Sequence, residues 1–367
     1  LVGNSIGKKF VVTCFGESHG KCVGVVIDGC PAGLPLSESD VQMELDKRKP
    51  GGSRVSTPRI EEDKAVLLSG VFNNFTTGAP ICIIVWNKDV KSEGYNQIKR
   101  KPRPGHADYT ASIRYGGFND HRGGGRFSGR ITLAYVIAGT VAKKLLKLID
   151  VEILAHTVQI GNIKLSTKVS NKEIRKNVYK NSVRCADSQA AITMEREILK
   201  VKKAGDSIGG LVEGLVLNYP AGLGDPIFDS LDSDIAKMIF NIPAVKAIEF
   251  GAGLRVVQMQ GSENNDQFRI KDGKIITETN NCGGILGGLS NGMPIVIRVA
   301  FKPTPSISKK QKTINLKEKK ETKIELSGRH DPCIVPRAVP VVEASLAIVL
   351  IDHVLRTGAI PLNLNRK

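Results

Sequence analysis

The chain has 367 residues, 41% of them hydrophobic, enough for one large domain or two ordinary ones. Its 53 Lys and Arg against 36 Asp and Glu give a net charge of +17 and point to anionic partners, while an aromatic share of 5% leaves few stacking platforms for nucleic acid. Seven scattered cysteines with no C-x-x-C pair argue against a disulfide framework or zinc site, and Lys143 and Lys144 keep the longest apolar run short of the ~20 residues of a membrane span. With no signal-peptide pattern at Leu-Val-Gly-Asn, the expectation is a cytoplasmic protein that handles small anions, without metal, membrane or nucleic acid.

A short apolar run, Phe10 to Phe15, leads into Gly16-Glu-Ser-His-Gly20. Neighbouring side chains on a strand point to opposite faces, so Ser18 and His19 share a site only if a turn brings them round. The flanking glycines permit that turn and let a ligand approach the backbone. Cys22–Asp28 is a β-branched run of strand length. Ser37 and Asp40 then signal a helix through Val41, Met43 and Leu45 that stops before Pro50-Gly51-Gly52. Lys47 and Arg48 suit the negative end of its dipole. Arg54 and Arg59 lie beyond it and leave anion binding open.

Turns between Ser69 and Pro80, then a strand at Ile81–Trp86, argue for antiparallel pairing. The basic cluster Lys99-Arg-Lys101-Pro-Arg103 runs into Arg103-Pro-Gly-His-Ala-Asp108, which sets an imidazole near a carboxylate; His330-Asp331 repeats the pairing. A carboxylate neighbour favours the imidazolium, a suitable acid toward a leaving phosphate. No H-x-x-x-H or H-E-x-x-H spacing supports a metal, and no G-x-S-x-G supports a serine hydrolase.

His121-Arg-Gly-Gly-Gly-Arg-Phe-Ser-Gly-Arg130 frees successive N–H groups just before a helix, with Arg122, Arg126 and Arg130 alongside. It reads as a phosphate or carboxylate cradle, with a glycine hinge as the alternative, and matches neither a P-loop nor a dinucleotide fingerprint. The following run, Ile131–Ile149, carries no charge as far as Ala142, so it is not a surface helix. Ala338–Leu355 is similar, interrupted mainly by Glu343, Asp352 and His353. Two such helices need sheet on both sides, which predicts an α+β fold, a β-α-β sandwich of buried helices between two largely antiparallel sheets. His121 and His353 are read as structural, and His156 carries no signal. The lysine-dense stretch Ser306–Lys323 reads as a solvated mobile loop, with closure over a charged ligand as the alternative.

Three short blocks recur in one order. Pro31-Ala-Gly-Leu34 resembles Pro220-Ala-Gly-Leu223, Gly78-Ala-Pro-Ile resembles Gly292-Met-Pro-Ile, and Gly105-His-Ala-Asp108 resembles Gly328-Arg-His-Asp331. The expectation is an internal pseudo-twofold duplication. A single catalytic domain, 1–367, is then built from halves at about 1–150 and 191–367, joined by a connecting segment, 151–190.

Taken together, Gly16-Glu-Ser-His-Gly, Val25-Val-Ile-Asp-Gly-Cys-Pro31, Arg103-Pro-Gly-His-Ala-Asp108, His121–Arg130 and Gly328-Arg-His-Asp-Pro-Cys333 resemble chorismate synthases, in order and over essentially the whole chain. The resemblance implies a homotetrameric lyase that eliminates phosphate from 5-enolpyruvylshikimate 3-phosphate with reduced FMN and no net redox change. It implies that His19 protonates the departing phosphate, His106 serves the reduced flavin and Asp331 assists proton removal, with Ser18 and Ser128 supporting a relay. The implied FMN contacts are Arg126, Phe127, Ser128, Pro243, Ala244, Gly283, Lys302, Pro303, Thr304, Pro305, Ser306 and Arg329. Arg48 and Arg54 match positions associated with NADPH, and Arg48, Arg103, Arg130 and Arg329 suit the substrate's acidic groups. Phe127 and Gly129 depart from the usual serine and alanine, so a hydroxyl contact at 127 is lost and a backbone contact is kept. Against this stand a basic nucleic-acid-binding protein and an NADPH-dependent flavin reductase.

Overall fold

In a computed structural model that describes residues 3–49, 54–57, 61–88, 97–326 and 330–364, the alternating apolar runs build two five-stranded sheets. The first half supplies β1 (Ser5–Ile6), β2 (Val11–Gly16), β3 (Cys22–Asp28), α1 (Glu38–Arg48), β4 (Ala65–Ser69), a small hairpin of β5 (Val71–Phe72) and β6 (Phe75–Thr76), β7 (Ile81–Trp86), α2 (Asp108–Arg114) and α3 (Thr132–Lys147). Its sheet runs β1-β2-β3-β7-β4 with every pair antiparallel. Helix α1 starts where the sequence places it, because Ser37 and Asp40 close a reciprocal capping box.

The second half supplies β8 (Glu152–Ile160), β9 (Ile163–Lys164), α4 (Asn171–Asn177), α5 (Ser188–Lys203), β10 (Gly210–Leu217), α6 (Leu231–Phe240), β11 (Val245–Phe250) and α7 (Gly261–Asn264). Three hairpin pairs follow or flank its last long strand: β12 (Phe268–Lys271) with β13 (Lys274–Thr277), β14 (Ile285–Leu286) with β15 (Leu289–Ser290), then β16 (Ile295–Phe301), then β17 (Gln311–Asn315) with β18 (Lys320–Ile324). The chain closes with α8 (Val335–Arg356). This sheet runs β11-β16-β10-β8-β9, again antiparallel throughout.

Read from opposite edges, the two strand orders coincide, with β3 matching β10 and β7 matching β16. The likeness reaches individual hydrogen bonds. Thr76 Oγ1 accepts from the Leu34 amide and donates to the Pro31 carbonyl, while its backbone pairs with Gly33 and Leu34. Ser290 does the same with Leu223, Pro220 and Gly222. Within the segment 151–190, β8 and β9 belong to the second sheet, where β8 holds the place that β2 holds in the first.

Helices α3 and α8 lie between the sheets and cross closely. A Cβ on Gly139 of α3 would stand 2.3 Å from the Cβ of Ala344 of α8, so only glycine lets the helices approach this far. Helix α8 is apolar and long enough to cross a membrane, yet 94% of that stretch is buried in the fold. Each fully buried Leu or Ile along it contributes about 2 kcal/mol by leaving water. Its carboxylates and His353 are engaged, while the buried Ser345 hydroxyl has no hydrogen-bond partner among the described residues. Glu343 takes the Lys143 ammonium, 2.8 Å away, and the Ala155 amide. Asp352 Oδ1 accepts the amides of Lys8, Lys9 and Phe10, and His353 Nε2 lies 3.0 Å from Asp234. The structural reading of His353 holds.

The stretch Ser306–Lys323 is not the irregular loop expected from its lysines. It forms the β17–β18 hairpin, because Thr313, Asn315 and Ile324 give it an inward face while Lys312 and Lys323 point outward.

Candidate active site

Chain geometry around Gly123–Gly125 decides where the chemistry gathers. All three glycines have positive φ, at 58°, 84° and 51°, which L side chains rarely adopt. A Cβ on Gly123 would fall 2.2 Å from His19 Cδ2 and 2.9 Å from Ser18 Oγ. One residue on, a Cβ on Gly124 would fall 3.1 Å from His106 Nε2. The triglycine turn therefore brings together two histidines that lie far apart in sequence, one against each of two consecutive residues. Ser18 and His19 are both buried, and the Ser18 amide donates to the Gly125 carbonyl at 3.2 Å.

His106 is fixed from its other side. Its Nδ1 lies 2.7 Å from Asp108 Oδ1, and Arg103 grips the same carboxylate with Nε and Nη2, each at 2.7 Å. Arg103 Nη2 also lies 3.2 Å from His106 Nε2, so Nδ1–H donating to Asp108 leaves Nε2 turned toward Arg103 and the triglycine turn. Burial opposes the Asp108 charge, but the bonds from Arg103 and His106 hold its carboxyl well below the usual range. Arg103 Nη1 reaches Ser306 Oγ at 3.0 Å, and Lys302 Nζ donates to the Gly105 carbonyl. The Lys302–Ser306 stretch is thus placed against the His106 loop.

Thr304 Oγ1 donates to the Asp331 carbonyl, joining that stretch to the entry of α8. The Asp331 carboxylate accepts from the Thr57 amide at 2.9 Å and pairs with Arg337. Beside it, burial and Arg103 push the His330 pKa down, against the pull of Asp331. Burial and Lys246 likewise push Lys302 down.

Arg48 and Arg130 form a buried block under the turn. Both reach Asp63, Arg130 at 3.0 Å and Arg48 at 3.5 Å. Arg48 also donates to Thr132 Oγ1 and the Gly129 carbonyl, and burial with Arg337 and Arg130 pushes its pKa down to about 9. Expected to reach a ligand, Arg48 is only 3% exposed and its donors are taken within the fold. Arg130 is held by Asn87, whose side-chain amide also donates to the carbonyls of Glu17 and Gly20, at 2.9 Å each.

The remaining predicted residues lie further out. Arg126 donates to the carbonyls of Gly16 and Cys14 and to Asn4, and so braces β2. Ser128 caps the turn leading to α3 by accepting the Arg130 amide. Phe127 is exposed, its ring 6.4 Å from that of Tyr115. Pro243 and Ala244 join the site through the Ala244 carbonyl, which accepts the Lys302 amide. Gly283 is packed against Gly251, away from the histidines' contacts. Arg54 is exposed, and its carbonyl takes Lys202. Arg59 and Arg329 lie outside the described residues. Among the described residues no cluster of His, Cys, Asp or Glu could hold a metal ion. Asn87, Asp63, Thr57 and Arg337 were not foreseen, because each is a single polar residue with no local motif.

The chorismate synthase family model matches residues 10–355. The chain belongs to the chorismate synthase family. It is 54% identical over 360 residues to a chorismate synthase of Dehalococcoides mccartyi, covering 98% of this chain and 99% of that one. It is 54% identical over 364 residues to one from Methanobrevibacter smithii, covering 99% and 100%. A crystal structure of a chorismate synthase superposes with a TM-score of 0.76 at 30% identity, over 96% of this chain and 93% of that one. Membership makes this chain a phosphate-eliminating lyase of aromatic amino acid biosynthesis, and the nucleic-acid-binding and flavin-reductase readings find no support.

Proposed function

We propose that the elimination takes place around the triglycine turn, with 5-enolpyruvylshikimate 3-phosphate as substrate and reduced FMN as cofactor. The observation that carries this reading is the seating of His19 and His106 against Gly123 and Gly124. His19 donates a proton to the departing phosphate, a general-acid contribution of about 10²–10⁴-fold. His106, anchored on Asp108 through Nδ1, would serve the reduced cofactor through Nε2. Asp331, held between Thr57 and Arg337, assists in removing the ring proton, with Ser18 and Ser128 in the relay. Arg103, Arg130 and Arg329 answer the substrate's carboxylates and phosphate, since guanidinium forks suit such groups.

The residues present fit FMN. Lys302 and Lys246 bring two ammonium groups to the Lys302–Ser306 stretch, and Arg103 lies beside it, which suits an anionic cofactor. With no side chains at Gly123 and Gly124, the His19 and His106 rings lie directly against the backbone of the turn. Lys302–Ser306 and Arg329 would hold the cofactor's phosphate, with Arg126, Phe127 (through its backbone), Ser128, Pro243, Ala244 and Gly283 as further contacts. When bound, reduced FMN supplies the electron density that assists loss of phosphate from a substrate whose departing hydrogen sits on an unactivated carbon.

With Arg48 spent inside the fold, Arg54 is the residue left for NADPH as reductant. A cytoplasmic homotetramer completes the proposal. Seven free cysteines suit a reducing compartment, and exposed apolar side chains such as Phe228 (92%) and Ile270 (81%) suit subunit contacts.

The deciding experiment is anaerobic turnover of 5-enolpyruvylshikimate 3-phosphate. Dithionite-reduced FMN should support release of phosphate and chorismate, and oxidised FMN should not. Turnover independent of flavin overturns the cofactor assignment.

A further inference from the structure

We propose that the β17–β18 hairpin is an electrostatic collecting surface that draws the multiply anionic substrate toward the Arg103–His106 loop; this rests on the reading of the site given above. From Ser306 to Lys323 the sequence holds seven lysines against two glutamates. Lys309 pairs with Asp206, and among the described residues the other six lysines have no carboxylate partner. Lys312 and Lys323 stand directly opposite each other in the hairpin register, and both are exposed. Like charges placed so are destabilising, and a surface meant only for solubility mixes its signs. Here Lys312 and Lys323 are held in fixed register, with Glu321 on the same face and the positive charge in excess.

Location supplies the second argument. The hairpin's inward face is fastened to the strand of chain that leads into the site. The Leu316 amide donates to the Arg100 carbonyl at 2.8 Å, Thr313 Oγ1 donates to the Pro102 carbonyl, and Ile98 packs with Ile324 and Leu326. At its root, Ser306 receives Arg103. The outward lysines, extended by exposed Lys99 and Arg100, therefore form a rim leading to His106. A substrate with two carboxylates and a phosphate feels such a field in proportion to its charge. Fields of this kind raise capture by 10-fold or more at low salt and fade as the Debye length shrinks to about 8 Å at physiological ionic strength.

The test compares wild type with Lys312→Gln/Lys323→Gln and Lys312→Arg/Lys323→Arg in steady-state chorismate formation with reduced FMN, across a salt series. The Gln pair should lose about three- to tenfold in kcat/KM at low salt, keep kcat, and show a flatter salt dependence; the Arg pair should match wild type. A Gln pair with wild-type kcat/KM and salt slope overturns the proposal. So does an equal loss in kcat, which would make the hairpin a positioning element. If wild type turns over no 5-enolpyruvylshikimate 3-phosphate under any salt condition, it is the function assigned to the site that fails.

Discussion

Asn87 hands its side-chain oxygen to Arg130 while its amide nitrogen clasps both ends of the turn that carries His19. One residue at the end of β7 thus fixes the histidine and the arginine relative to each other. Asn87→Ala should lower turnover about 10²-fold, since a misplacement near 1 Å has that effect, and cost about 1–3 kcal/mol of stability for the unpaired groups left behind. Single-turnover chorismate formation and urea melts measure the two. A variant with wild-type turnover would show that the turn holds its shape unaided.

The triglycine turn allows a graded comparison. Gly123→Ala puts a methyl group 2.2 Å from the His19 ring, whereas in Gly124→Ala the nearest atoms of His106 stand at 3.1 Å. Both substitutions also strain a positive φ by roughly 1–2 kcal/mol. Turnover should therefore fall more in Gly123→Ala, by about 10² or more, with both proteins still folded by circular dichroism. Equal losses would mean that backbone strain, not the imidazole contact, sets the effect.

The two histidines should separate kinetically. His19→Ala should slow phosphate release about 10²–10³-fold with flavin affinity nearly unchanged, because only the leaving group loses its proton donor. His106→Ala should weaken binding of reduced FMN as well as slowing turnover. Flavin titration beside single-turnover rates distinguishes them, and wild-type rates in both variants would remove them from the chemistry.

Stability should fall with acid in two stages. Burial and Arg103 lower the His330 pKa below its ordinary 6.5, so unfolding gains a proton, and is favoured, as pH drops below that value. Asp108 acts lower. Burial works against its charge, but Arg103 and His106 depress its pKa, so its contribution is complete above about pH 4 and is lost as the carboxylate protonates. In urea melts, His330→Asn should flatten the first stage and leave the second. An unchanged slope between about pH 5 and 6.5 would exclude His330 as its source.

Much of this arrangement was legible in the residues. The charge-free run from Ile131 to Ala142 demanded burial between two layers, and α3 has them. Pro31-Ala-Gly-Leu34 and its echo at Pro220 announced two equivalent turns, which share their hydrogen bonds to Thr76 and Ser290. Hidden were the contacts made over long distances by single polar residues. Nothing near Asn87 in sequence says that it faces Glu17, and nothing near Thr57 says that its amide reaches Asp331. Charge density misled at Lys309–Lys323, because a count of lysines ignores the alternation that lets one face of a hairpin stay buried.

The close approach of Gly139 to Ala344 has a consequence for descent. If the halves arose by copying, this crossing was once the seam of a symmetric dimer of two identical chains, and fusion turned it into the interior of one. Symmetry no longer forces the two sides to change alike. A larger residue on α3 now needs a smaller one on α8, so these positions should drift as a coupled pair, with total volume conserved rather than identity.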